Sequence, residues 1–170
     1  MINIRKEEVK DRAAVLQLTY DAFDRWDESD LIKQLYLDDD VIFGLVAEEE
    51  NGDERRIVGH ILFSTVEVSS DQLALEVAAI APISVHPEQQ KAGIGATLVR
   101  EGLQICRNNE ELVGILVLGN PDYYQRFGFS SELGARLDAP FKQDSFMALE
   151  FRPGILPEKA IVKYASAFGL

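Results

Sequence analysis

Apolar and polar residues alternate from Met1 to Arg5, and the spacing then changes: Val9, Ala13, Leu16, Tyr20 and Phe23 recur every three or four positions. Alternation marks a half-buried strand, and a spacing near 3.6 marks a helix with one apolar face. The pattern therefore predicts a short first strand and a helix over 8–23. A second short helix is predicted around Leu31, Ile32, Leu35 and Tyr36, ended by the solvated run Asp38-Asp39-Asp40. Val41 to Glu48 reads as a strand, Asn51-Gly52-Asp53 as a turn, and Ile57 to Val68 as the return strand of an antiparallel hairpin.

Leu73 to Val85 is a longer apolar run, suited to a central strand. Pro82 lies inside it and brings no N–H to a ladder, so a bulge or a break in pairing is expected there, with backbone groups left for a ligand. Gly95 to Arg107 reads as a helix with Leu98, Val99, Gly102, Ile105 and Cys106 on one face, closed by Asn108-Asn109. Val113 to Leu118 is a second buried strand. A strand–helix–strand unit of this kind is expected to be parallel and right-handed. Gly119-Asn120-Pro121 ends that strand, a short helix over Asp122 to Phe127 follows, and Phe146 to Phe151 is read as the last strand before a Gly/Pro-containing tail. The chain shows no internal repeat, low-complexity tract or Pro/Ser-rich linker, so its 170 residues are read as a single domain, 1–170.

Composition narrows the function classes. The net charge of −12 disfavours nucleic-acid binding and an anionic membrane surface. Acidity aids solubility and steers a cationic substrate only weakly. The single cysteine, Cys106, excludes an intramolecular disulfide and sits on an apolar helix face, as a packing residue does. His60 and His86 are the only histidines, too few for a metal site, so no metal is expected. The N-terminus lacks the apolar core of a signal peptide, and no stretch approaches the ~20 apolar residues that cross a bilayer. A cytoplasmic protein is expected.

The candidate chemistry lies in Gln90-Lys91-Ala92-Gly93-Ile94-Gly95, where an apolar strand meets an amphipathic helix. Two glycines one residue apart let the backbone bend tightly and approach a ligand without interference from Cβ. The helix beyond them aims unpaired N–H groups and a positive dipole end at the same place, which makes an anion site suited to phosphate or pyrophosphate. A P-loop would need Lys-Ser/Thr after its last glycine, and Ala96-Thr97 stands there. A dinucleotide fingerprint would need a third glycine where Leu98 stands. Gln90-x-x-Gly93-x-Gly95 instead resembles the Q/R-x-x-G-x-G/A signature of the GNAT N-acetyltransferase superfamily. Ile80 to Pro87 is similar to that family's central strand, Leu116-Val117-Leu118-Gly119-Asn120 to its next parallel strand, and Tyr123 to Phe129 to its "FYxRxGF" segment. These motifs cover roughly residues 75–130 in the family's order, and the end of the chain looks like a small bacterial branch.

The resemblance implies an α/β fold with a central, mixed, mostly antiparallel sheet, a splayed parallel strand pair and flanking helices. It implies acetyl-CoA as cosubstrate, with the backbone of Ile83, Ser84 and Val85 along the pantetheine arm. The amides of Gln90, Lys91, Ala92, Gly93, Ile94, Gly95 and Ala96 would hold the pyrophosphate. Asn120 would lie at the pantetheine, or else serve only as a turn residue. The reaction would be acetyl transfer to the primary amine of a small molecule or peptide. An N–H near Val85 is the natural oxyanion donor. A phenol stays protonated at neutral pH and can protonate the leaving sulfur. Tyr124 stands at the family's tyrosine position and is the candidate acid, with Tyr123 its neighbour and rival. Glu76 and His86 are candidate bases, and ordered water is a third. Phe127, Phe129 and Trp26 are read as core packing, although Trp26 with Arg25, Asp27 and Glu28 lies in the region that shapes the acceptor pocket in the family. Exposed terminal strands leave room for a homodimer. The competing reading from another class is a CoA-binding sensor without transfer activity. A dinucleotide-dependent oxidoreductase falls with the missing third glycine.

Overall fold

The alternation at the start of the chain becomes strand β1 (Ile2–Lys6), paired antiparallel with β2 (Val41–Asn51) from Ile2↔Glu49 to Lys6↔Leu45. The computed structural model describes residues 1–141 and 143–170. Helices α1 (Arg12–Phe23) and α2 (Asp27–Leu37) separate the two strands in sequence. The predicted helix over 8–23 opens with a 3-10 turn, Val9–Asp11, because the Asp11 carboxylate turns back to accept the N–H of Glu8 at 2.8 Å. Beyond β2 follow β3 (Glu54–Ser70), β4 (Leu73–Val85), α3 (Ile94–Asn108), β5 (Leu112–Leu118), α4 (Pro121–Tyr124), α5 (Ser131–Ala135), β6 (Phe146–Glu150) and β7 (Ile161–Tyr164). The strand order is β1-β2-β3-β4-β5-β6, and β7 pairs with β3. The β4–β5 pair is parallel, whereas β1–β2, β5–β6 and β3–β7 are antiparallel. This is the mixed sheet with flanking helices that the resemblance implies.

The chain forms two units: Met1–Phe63 with Ala81–Gly102, and Ser64–Ile80 with Leu103–Leu170. In the first, Val15, Leu18, Ile32 and Leu35 of α1 and α2 are buried, as are Val46, Ile61 and Phe63 of β2 and β3. In the second, Val77, Ala79, Leu116, Phe146, Ala148 and Val162 form the centre of one core. Among the described residues, no helix is long and apolar enough to cross a membrane.

The break in pairing expected at Pro82 is found just before it: the last residue of β4 paired with β5 is Ile80, opposite Val117, while the register shift falls earlier, between Glu76 and Ala78. Two expectations are corrected. Phe146–Phe151 is not the final strand, since β7 pairs with β3 from Val66↔Tyr164 to Ser69↔Ile161. Trp26 is not core: it is 47% exposed and stacks on Tyr20 with ring centroids 4.3 Å apart.

One polar cluster fixes β1 against the start of α1. The Arg5 guanidinium donates to both carboxylate oxygens of Asp11, at 2.7 and 2.9 Å, and to Glu48 at 2.9 Å. These hydrogen bonds hold the carboxyls of Asp11 and Glu48 below the usual carboxylate range. A depressed folded pKa contributes stability above the unfolded value, and that stability is lost as pH falls through the folded one. Asp11→Asn is therefore expected to cost about 1–3 kcal/mol at pH 7. Paired urea denaturation at pH 7 and at about pH 3.5 checks this, because the gap to wild type should shrink below about pH 4.

Candidate active site

In the first unit the site begins where β4 gives way to α3. Along β4, Pro82 and Ser84 are buried while Ile83 and Val85 are half-buried, as the two faces of a strand require. The Ser84 hydroxyl points inward and donates to Thr19 Oγ1 at 3.4 Å. Gln90 reaches back, its Nε2 donating to the Val85 carbonyl at 3.1 Å. Gln89 anchors the same loop to β2 through Glu49, at 2.8 Å.

Gln90, Lys91, Ala92 and Gly93 are all exposed. Lys91 and Gly93 have φ of 65° and 86°. A Cβ at Gly93 would meet nothing within 4 Å, so its requirement for glycine is conformational and not spatial. Both the N–H and the hydroxyl of Thr97 donate to the Gly93 carbonyl, each at 3.0 Å. Thr97 closes the first helical bond, and the N–H groups of Ile94, Gly95 and Ala96 are the open ones of the first turn. An exposed, left-handed loop leading into those amides is a cradle for an oxyanion.

Glycines also set where α3 starts. A Cβ at Gly59 of β3 would lie 2.8 Å from Ile94 and 3.1 Å from Leu98. Gly102 faces the Phe63 ring, and a Cβ there would run into it. Gly59 was missed by sequence reasoning, although an isolated glycine inside a strand pattern is the usual sign of such a close approach.

In the second unit, α4 carries the tyrosines. Asn120 caps it: Oδ1 accepts the N–H of Asp122 at 3.0 Å and its carbonyl accepts that of Tyr124, also at 3.0 Å. Tyr124 is buried, 7% exposed, and Tyr123 is half-buried. The two rings meet edge to face at 4.9 Å, and Phe129 closes on Tyr124 at 5.7 Å. Gly119 leaves the room for that ring, since a Cβ there would lie 3.0 Å or less from it. Burial, with a smaller contribution from Tyr123, pushes the Tyr124 phenol up to about 12. Phe129 is core as expected, and Phe127 is half-buried.

Glu76 is exposed on β4, opposite Leu112. His86 Nδ1 accepts the backbone N–H of Glu88 at 3.3 Å, and the backbone N–H of His86 donates to the Val58 carbonyl at 2.8 Å. Arg25 grips Glu28 through Nε at 2.9 and 3.0 Å and through Nη2, which lowers the Glu28 carboxyl. Cys106 is fully buried, and burial pushes its thiol up to about 12, as suits a packing residue. Among the described residues, no group of three or more His, Cys, Asp or Glu is arranged to hold a metal ion.

The GNAT acetyltransferase domain family matches residues 3–131. The chain is 33% identical over 135 residues to the uncharacterized N-acetyltransferase YhbS of Escherichia coli K12, spanning 79% of this chain and 76% of that protein. It is 32% identical over 124 residues to YjhQ, another uncharacterized N-acetyltransferase of that strain, spanning 70% of this chain and 64% of that protein. A Brucella melitensis GNAT acetyltransferase crystallised with acetyl-CoA superposes with TM-score 0.78 at 32% identity, over 99% of this chain and 98% of that one. The E. coli YhbS structure with CoA superposes with TM-score 0.87 at 27% identity, over 99% and 92%.

Proposed function

This chain belongs to the GNAT acetyltransferases, and we propose that it moves the acetyl group of acetyl-CoA to a primary amine of a small molecule or peptide by direct attack on the thioester. The observation that carries this reading is the exposed loop with Gly93 at φ 86°, opening into the free amides of α3. Two similar structures that hold acetyl-CoA or CoA support the choice of anion. The amides from Gln90 to Ala96 hold the pyrophosphate, and Lys91, exposed in a left-handed conformation, adds a positive charge. Ile83, Ser84 and Val85 offer only their backbone to the pantetheine arm. This is consistent with the inward Ser84 hydroxyl and with β5 pairing that stops at Ile80. Asn120 spends Oδ1 on its cap and keeps its amide NH2 for the ligand.

Acetyl-CoA supplies an activated acyl group, and the acceptor amine attacks it in its neutral form. The N–H of Val85 is the donor for the developing oxyanion. Tyr124 delivers a proton to the sulfur, a role supported by a phenol that stays neutral at all physiological pH. For the amine's proton, water is the first acceptor, with the exposed Glu76 as the carboxylate that draws it off. His86 is less suited, because its Nδ1 is already occupied.

The test has two arms. Calorimetry should give saturable heat with CoA and acetyl-CoA, and free thiol should appear when acetyl-CoA meets a productive member of an amine panel. A folded sample giving no heat with either would sink the reading. Heat without thiol release across the whole panel would favour the sensor.

A further inference from the structure

Glu49 stands on β2, opposite Ile2 of β1, in a strand that has β1 on one side and β3 on the other. Its side chain is 17% exposed, and its two carboxylate oxygens serve different elements. Oε1 accepts from Nε2 of Gln89 at 2.8 Å, and Oε2 accepts from Nη2 of Arg56 on β3 at 3.2 Å. Gln89 is 40 residues from Glu49 in the chain and comes immediately before the run of amides from Gln90 to Ala96. Glu49, Arg56, Gln89 and that run all belong to the first unit.

The loop needs an external hold. Lys91 has φ 65°, a left-handed conformation that a Cβ disfavours, and Gly93 has φ 86°. Such conformations persist where the surrounding contacts over-determine them. The backbone N–H of His86 on the Val58 carbonyl fixes where the loop begins. The backbone N–H of Gln89 on the His86 carbonyl, and Gln90 Nε2 on the Val85 carbonyl, bend the loop from within. The bond from Gln89 to Glu49 is of another kind, because it reaches past β3 to β2, two strands from β4. A bare carboxylate beside an anion site would repel a pyrophosphate. Arg56 offsets that charge and holds the carboxylate in one place. We propose that Glu49 is a positioning residue for the cofactor: braced by Arg56, it fixes Gln89 and with it the loop whose amides meet the pyrophosphate. A loop held in its bound shape before the ligand arrives loses less freedom on binding. The inference rests on the acetyl-CoA reading of that loop and adds a residue outside the loop to it.

The test is calorimetry with CoA on the full chain, for wild type, Glu49→Ala, Glu49→Gln, Gln89→Ala and the double alanine variant. Glu49→Ala should bind CoA at least about fivefold more weakly. Glu49→Gln keeps one oxygen for Gln89, while Arg56, 50% exposed, turns to water. Its affinity should stay within about twofold of wild type. Gln89→Ala removes the same bond from its other end and should match Glu49→Ala. Since both act through one bond, the double variant should be no more than about twofold weaker than either single one. A merely structural Glu49 would lower the melting temperature and show no such coupling to Gln89. Wild-type affinity for CoA in Glu49→Ala overturns the proposal. So does a loss in Glu49→Gln as large as that in Glu49→Ala, or losses that multiply in the double variant. Should Glu49→Ala fail to melt cooperatively, wild-type affinity in Gln89→Ala overturns it instead. In each of these outcomes wild type still binds CoA and the cofactor reading stands, whereas wild type without heat from CoA ends both.

Discussion

Tyr124→Phe is expected to lower kcat for acetyl transfer by about 100- to 1,000-fold, the range for losing a positioned general acid. The dissociation constant for CoA should stay within about twofold, because only an interaction made in the transition state has been removed. The ring contacts make this a clean substitution. Phe keeps the edge-to-face packing with Tyr123 at 4.9 Å and Phe129 at 5.7 Å and loses only the hydroxyl. The phenol is pushed up to about 12, so the neutral, proton-bearing form persists through the assay range. Wild-type kcat should then show no falling limb from this group below about pH 10. Tyr123→Phe is the control. Its half-buried ring is the rival donor, and with Tyr124 as the acid its turnover should fall only a few fold. Stopped thiol-release assays on both variants, with calorimetry for CoA, decide the matter. Parallel losses of turnover and of CoA affinity in Tyr124→Phe would make it a packing residue.

The parts of the site that could be read in the sequence are those built from neighbouring residues. A strand, two close glycines and an amphipathic helix declare themselves within about 25 positions, and Leu98, Val99, Gly102 and Cys106 are buried on α3 as their spacing requires. The parallel β4–β5 pair followed from the strand–helix–strand order. What could not be read depends on residues far apart in the chain. β7 is four residues long and lies in a tail punctuated by Pro153, Gly154 and Pro157, so only its pairing with β3 defines it. The Glu7–His60 contact joins residues 53 apart, and nothing local marks either as buried. Trp26 misled for the opposite reason. An apolar side chain suggests core, but stacking on Tyr20 covers one face and leaves the rest to solvent. Pro82 could be read from the sequence as a break in pairing, and the ladder with β5 ends just before it, at Ile80.

Gly114→Ala should destabilise the second unit by about 2–4 kcal/mol, more than the usual cost of one added methyl in a core. Gly114 lies on β5 opposite Glu150 of β6. A Cβ there would stand 2.5 Å from the Leu149 carbonyl oxygen and 3.4 Å from the Glu150 Cα. Both obstacles are backbone, so relief requires β5 and β6 to move apart, which weakens the ladder from Gly114↔Glu150 to Leu118↔Phe146. The reduced freedom of the unfolded chain returns only about 0.4–1 kcal/mol. Gly102→Ala is the informative comparison. There the obstacle is the end of one side chain, the Phe63 ring, and not two strands of backbone, and Ala gains about 1 kcal/mol of helix propensity over Gly. Its net cost should be less than half that of Gly114→Ala. Urea denaturation of the two variants gives the ranking. Because β5 leads through Gly119 and Asn120 directly into α4, Gly114→Ala should also lower acetyl transfer under conditions where the chain remains folded. Equal stability of the two variants would mean that β5 and β6 yield as easily as one phenyl ring, and the rigid support inferred for Tyr124 would then be lost.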